Sequence, residues 1–257
     1  MHQIIVVISF ILLFICVFVP AALLVQNNFE RMEIRDAICL SAKALAGSLK
    51  HTAGNYRLIA EGKLNDGNSE IEIDKERLLQ EFYSTLKLNI LNDKKFEQLV
   101  AAMKIKILVY SDRFYVADSM DRWSAPYFFT VEKDGLIFYL FNSSTKAYYY
   151  NDSGDKIYAD IQDIGISKEH KNSIIIDKLN AVVNEFTYSY EDKNRFSIKI
   201  LNPESNDIMY LKEYAMFNVL DGITFFVVCT DSKNTVIREK GIKYKNYNVI
   251  GYTIDMD

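Results

Sequence analysis

Two short runs, Ser84-Thr-Leu-Lys87 and Ser143-Ser-Thr-Lys146, carry a serine three residues before a lysine. On a helix that spacing puts both side chains on one face, where a neutral amine can take the proton of a serine nucleophile. Enzymes that work this way also carry SDN and KTG elements, and this chain has neither. Histidine, the commonest general base, occurs only as His2, His51 and His170, in no HExxH arrangement. No glycine loop of the P-loop or GxGxxG kind is present. Asp152-Ser-Gly-Asp155 lacks the alternate ligands and closing glutamate of a calcium loop, and reads as a hairpin turn. Cys16, Cys39 and Cys229 form no CxxC or Cys/His cluster, which argues against zinc, while a Cys39–Cys229 disulfide stays open. No catalytic, cofactor-binding or metal-binding residue is expected, and the chain is not read as an enzyme. A net charge of −4 supplies no basic face for nucleic acid, and no small-molecule substrate is evident.

The elements that would position any such group read as α+β with a mainly antiparallel sheet. Asp74 caps a helix that runs to about Asn89, with Leu78, Leu79, Phe82, Tyr83, Leu86 and Ile90 on its buried face. A shorter helix covers about Lys94 to Met103. Strands follow at Lys104–Ser111, Arg113–Ser119, Tyr127–Val131, Leu136–Phe141, Lys146–Tyr150 and Lys156–Ile161. Glu132-Lys133-Asp134-Gly135 and Asn151-Asp152-Ser153-Gly154-Asp155 are their hairpin signals. A helix is expected over Ser167–Thr187, then strands at Arg195–Leu201, Ile223–Thr230 and Asn246–Ile254. Aromatic residues crowd the interval from Tyr110 to Tyr150. Adjacent Tyr148, Tyr149 and Tyr150 must alternate between the two faces of a strand, so at least one meets solvent or a partner.

Ahead of this head lies a charge-free apolar run from Ile4 to Val25, interrupted only by Ser9 and Pro20. About 20 helical residues cross a hydrocarbon core of about 30 Å, so the run is long enough to span a bilayer, with Ile4, Phe10, Phe14, Val19 and Val25 among its anchor residues. Only Met1, His2 and Gln3 precede it, with no basic residue of the kind that opens a signal peptide, and the weak Val19-Pro20-Ala21 pattern is its one cleavage-like feature. The expectation is a retained single-pass anchor in the cell membrane, with the C-terminal domain outside the cytoplasm. Three segments result: a transmembrane anchor (1–26), a helical extension (27–62) and an α+β head (63–257). In the extension, Ile34, Ile38, Ala42, Leu45 and Leu49 make one narrow apolar face. Ala37, Ser41, Ala42, Ala46 and Gly47 make the helix slim, so it can approach another surface closely. That surface is either the chain's own head or a neighbouring subunit.

A hydrophobic segment running into a long small-residue helix and an α+β head resembles pilin-like proteins, in particular the single-pass, TadE-like components of tight-adherence pili and related bacterial secretion systems. FYSTLKLNI (Phe82–Ile90), LVYSDRFYVADS (Leu108–Ser119), Trp123 and the Ala125–Phe128 segment are similar to single-pass proteins of Gram-positive pilus or mobile-element loci. The resemblance implies a structural or accessory component of a cell-surface pilus or secretion assembly, with the lipid bilayer and other assembly membrane proteins as partners. The chain departs from type IV prepilins in having no glycine before Gly47 and no acid before Glu30, which implies a retained component rather than a processed, polymerising one. The alternative is a membrane-tethered extracytoplasmic ligand-binding, sensor-like domain, which would need a pocket.

Overall fold

The structure, a computed structural model, describes residues 14, 16–23, 25–26, 29, 32–45, 74–109, 112–190, 219, 222–230, 237–239, 242–244 and 247–255. The fold is α+β, and every strand pairing among the described residues is antiparallel. Residues 14–29, where described, are helical, and helix α1 (32–45) follows. Then come α2 (Lys75–Asn89), α3 (Asp93–Ala102), β1 (Met103–Val109), β2 (Arg113–Ala117), β3 (Tyr127–Phe128), β4 (Thr130–Lys133), β5 (Leu136–Leu140), β6 (Lys146–Tyr150) and β7 (Lys156–Asp160). Helix α4 (Lys168–Tyr190), β8 (Gly222–Thr230), β9 (Ile237–Glu239), β10 (Ile242–Tyr244) and β11 (Tyr247–Asp255) complete the order. Among the described residues no helix is long and apolar enough to cross a membrane, and Ile4 to Leu13, Ile15 and Leu24 of the apolar run lie outside them.

Helix starts follow local chemistry. The Asp74 carboxylate accepts the Arg77 N–H at 3.0 Å, and the Asn92 side chain does the same for Lys95, each satisfying a donor that the helix leaves unpaired. The Ser167 hydroxyl serves α4 through the His170 N–H at 3.1 Å. Strand β8, GITFFVVCT, is apolar on both faces because both are covered. Ile223, Phe225, Val227 and Cys229 join the core under α1, α2 and α3, while Phe226 and Val228 join the core shared with the second sheet and α4. The five-stranded sheet, in order β11-β8-β1-β2-β3, is thus the middle layer, with helices on one side and the four-stranded sheet β4-β5-β6-β7 on the other.

The expected strand Tyr127–Val131 is divided. Its first two residues pair with β2 in the middle sheet, and Thr130–Lys133 pair with β5 in the outer one. Phe129 is the corner: fully buried, it donates its N–H to Asp112 and accepts at its carbonyl from Leu140. The alternation of a single strand persists through the corner, which is why periodicity alone reads one element. The hairpin after β4 turns on Asp134 (φ 52°) and Gly135 (φ 77°), since Lys133 still pairs with Leu136. The β9–β10 hairpin was not expected from the sequence; the expected strand Arg195–Leu201 lies outside the described residues.

Gly251 of β11 lies opposite Phe226 of β8. A Cβ there would meet the side chain and backbone of Phe226, and the Phe225 carbonyl oxygen at 2.6 Å. Backbone cannot step aside as a side-chain tip can, so overpacking of about 1–3 kcal/mol or more follows. Gly251→Ala is expected to lower the unfolding free energy of the full chain by that amount, read as a lower urea midpoint, and an unchanged midpoint would show that β11 can shift away from β8.

Candidate functional site

The apolar helix and the aromatic cluster of the outer sheet are two features of the fold that could serve a function. Every described residue from 14 to 29 is exposed. Phe14, Val17, Phe18, Val19, Leu23, Val25 and Phe29 keep 46–68% of their surface accessible, although successive helical positions point all round the axis. A helix apolar on every side normally lies within a protein core or a membrane. Of the expected anchor residues, Phe14, Val19 and Val25 belong to this exposed set, and Ile4 and Phe10 lie outside the described residues.

From Ile34 onward one side of the helix is covered. Ala37, Ile38, Ser41, Ala42 and Leu45 are buried, and four of them join the core with α2, α3 and the middle sheet. The Ser41 hydroxyl donates to the Ala37 carbonyl at 2.7 Å, so the hydroxyl is satisfied inside the helix. The small residues therefore bring α1 close to its own head. Of the two surfaces that the slim face could approach, the head is the one that Ala37, Ser41 and Ala42 face, because a slim face fits any flat apolar surface and the head supplies one. Ala46 and Gly47 lie outside the described residues. The extension and the head share this core.

The outer face of the four-stranded sheet is built from tyrosines. Tyr139, Tyr148 and Tyr158 lie opposite one another across β5, β6 and β7. Tyr139 and Tyr148 stack at 4.8 Å with their rings 6° apart, and Tyr150 meets both edge-on at 5.8 Å. The Lys156 ammonium sits 3.9 Å over the Tyr148 ring, a cation–π contact. Tyr149, between the two outward rings, packs against the inner core as the alternation requires. The Tyr148 hydroxyl donates to Asp112 Oδ2 at 2.8 Å, and Arg113 Nε donates to Asp112 Oδ1 at 2.9 Å. Burial, and then the Asp112 carboxylate, push the Tyr148 phenol well above its ordinary range, so it stays a donor. Asp112 falls in the short stretch between β1 and β2, which reads simply as a turn in the sequence.

On the helix side of the middle sheet, Lys106 is fully buried. Its ammonium contacts Asp121 Oδ1 at 2.6 Å and donates to the Asp118 carbonyl at 3.1 Å. The Tyr83 hydroxyl donates to the same Asp121 oxygen at 2.9 Å. Asp121 holds a left-handed conformation (φ 62°) that short polar residues tolerate. The Asp118 carboxylate shapes this loop by accepting the Met120 and Arg122 N–H groups and the Arg122 guanidinium. Burial would raise the Asp118 carboxyl, but those hydrogen bonds hold it below the usual carboxylate range. The cluster acts as a polar rivet between α2 and the sheet. Burial pushes the neighbouring Cys229 thiol up to about 12, with Lys106 opposing the shift, so it is an unreactive core thiol.

The remaining sequence candidates stay apart. Lys87 pairs with Asp93 at 3.4 Å and Lys146 with Asp160 at 3.4 Å, so each SxxK lysine is placed on a carboxylate. Ser84 lines an open groove between α1 and α2 with Ala44, Leu45, Arg77, Gln80, Glu81 and Thr85. His170 is an exposed residue in the first turn of α4, and His2 and His51 lie outside the described residues. Cys16, Cys39 and Cys229 are in no disulfide; Cys39 donates weakly to the Gly251 carbonyl at 3.9 Å. Among the described residues no group of three acidic, histidine or cysteine side chains is placed to hold a metal ion. No protein-family model, no curated protein and no solved structure matches this chain, so the function must be argued from these surfaces themselves.

Proposed function

We propose that this chain is a membrane-anchored, pilin-like structural or accessory component of a bacterial cell-surface pilus or secretion assembly. The observation that carries the reading is the all-round exposure of apolar side chains from Phe14 to Phe29, followed directly by one-sided burial in α1. Exposed to water, such a helix has no compensation for its apolar surface; in a bilayer it has. The charge-free run from Ile4 to Val25 is long enough to span. Docking of α1 on the head holds the residues that follow the apolar run against the domain, which suits a subunit held in place by neighbours. The sensor-like reading needs an enclosed ligand cavity, and the groove between α1 and α2 is open.

The test is retention in carbonate-washed membranes. The wild-type chain is expected to remain in the pellet. Phe14→Arg/Phe18→Arg places two charges near the middle of the span, at about 2.5–3.5 kcal/mol each, and is expected to shift most of the chain out of the membrane. A wild-type chain recovered in the wash overturns the anchor. Copurification from wild-type membranes with other single-pass proteins supports the assembly role; a chain that is always isolated alone counts against it.

A further inference from the structure

Strand β7 is an edge of the outer sheet: its one strand neighbour among the described residues is β6. Ile161 donates its N–H to the Thr145 carbonyl and Asp155 accepts from Asn151, so the odd-numbered residues of this strand turn their backbone groups toward β6. Those of Lys156 and Tyr158 and the Asp160 N–H therefore point away from the sheet, while the Asp160 carbonyl accepts the Asp163 and Ile164 N–H groups at 3.1 and 3.3 Å. Exposed edges invite further pairing, and proline, bulges, inward charges or edge charges such as lysine discourage it. Strand β7 has no proline and an unbroken register, its edge charges are one of each sign, and Ile157 and Tyr158 keep 36% and 38% of their surface exposed. The opposite edge, β4, is shorter, and its Lys133 ammonium is tied to the Ile164 carbonyl.

We infer that β7 pairs antiparallel with β7 of a second copy of this chain, about a two-fold axis through Tyr158. The strand reads Lys156-Ile-Tyr-Ala-Asp160, with opposite charges at its two ends on the outer face. In that register Lys156 lies opposite Asp160 of the second copy, twice over, and Tyr158 lies opposite its own copy. Ile157 meets Ala159 on the inner face. The even-numbered positions are those whose backbone groups point outward, so the register that matches charge also matches the hydrogen-bond ladder at Tyr158. A parallel pairing in register would set lysine against lysine and aspartate against aspartate. The result is an isologous interface that joins two four-stranded sheets into one and makes their tyrosine faces continuous. The inference is independent of membrane anchoring, because β7 belongs wholly to the head.

The experiment uses the full chain in non-ionic detergent, with mass measured by light scattering and native mass spectrometry. The wild-type chain is expected to be a dimer. Lys156→Glu sets two acids against each other, Asp160→Lys sets two lysines, and each variant alone is expected to be monomeric. Mixed together they are expected to form a heterodimer, because each mismatch in one copy is answered by the other. With Cys16 and Cys39 replaced by serine, Tyr158→Cys is expected to form an interchain disulfide, since paired Cα atoms about 5.5 Å apart fall within the disulfide range. Lys156→Glu should abolish that cross-link. If Asp160→Lys fails to fold, the cross-link with and without Lys156→Glu decides alone. A monomeric wild type, a dimer that survives either single charge reversal, mixed variants that stay monomeric, or a cross-link unaffected by Lys156→Glu each overturns the assignment.

Discussion

Lys171→Met is expected to cost the head about 3–5 kcal/mol, which for a domain of this size lowers the melting temperature by roughly 10 °C. Lys171 is buried in the first turn of α4, where a cation opposes the helix dipole. It is held there by the carbonyls of Phe141, Asn142 and Ser144, at 3.0, 2.8 and 2.7 Å from its ammonium. Those carbonyls belong to the loop between β5 and β6, so one side chain ties α4 to the outer sheet. Methionine fills the space but donates nothing, and each carbonyl left buried without a donor costs about 1–3 kcal/mol. Calorimetry of the full chain checks the value. A melting temperature within two or three degrees of wild type would mean that water reaches the loop and replaces the ammonium.

The second buried lysine is expected to behave in the opposite way. Removing its partner, Asp121→Asn, leaves the Lys106 charge in a fully buried position, and breaking such a pair from one side costs about 3–5 kcal/mol. The lower end of that range applies, because Asp121 keeps 39% of its side-chain surface in water. Asparagine is chosen because it tolerates the left-handed backbone of Asp121 and still offers an oxygen to Tyr83, so the change isolates the charge. Lys106→Met removes the charge itself and is expected to fall within about 1 kcal/mol of wild type, because the Asp121 carboxylate left behind keeps 39% of its side-chain surface in water and is not stranded. The double variant should recover most of the loss caused by Asp121→Asn. Denaturant midpoints of the three variants decide it. Equal losses in both single variants, with no recovery in the double, would refute a pair whose main cost is the buried charge.

These two lysines also mark the limit of what the sequence discloses. Lysine is nearly always exposed, and nothing in KIKILVYS distinguishes Lys106, fully buried, from Lys104, because strand alternation assigns a face but not what covers it. Local chemistry was legible: the Asp74 cap, the Asp134-Gly135 turn, the hairpin around Asn151 and the β8 run all lie where residue type requires them. Which sheet a strand joins was not. Tyr127 and Val131 alternate in one continuous pattern, yet the chain changes sheets at Phe129 because of the surfaces that meet it there. The same ambiguity affected the slim face of α1: Ala37, Ser41 and Ala42 encode a close approach without naming the surface approached. The apolar run is a different kind of signal, one of length and lack of charge, and most of its first half lies outside the described residues.

The pairing of β1 with β8, which sets Met103 against Cys229, has a consequence for synthesis. Synthesis runs from the N-terminal side, so α1 and β1 emerge long before the strand that completes the middle sheet. Until β8 and then β11 arrive, α1 lacks much of the surface it docks against, and β1 is short of a neighbour. Pairings this distant in sequence form slowly, and unpaired apolar strands are prone to aggregate. A nascent head of this topology needs shelter until its last strands are made, and truncation anywhere before Gly222 leaves a chain that cannot close its core.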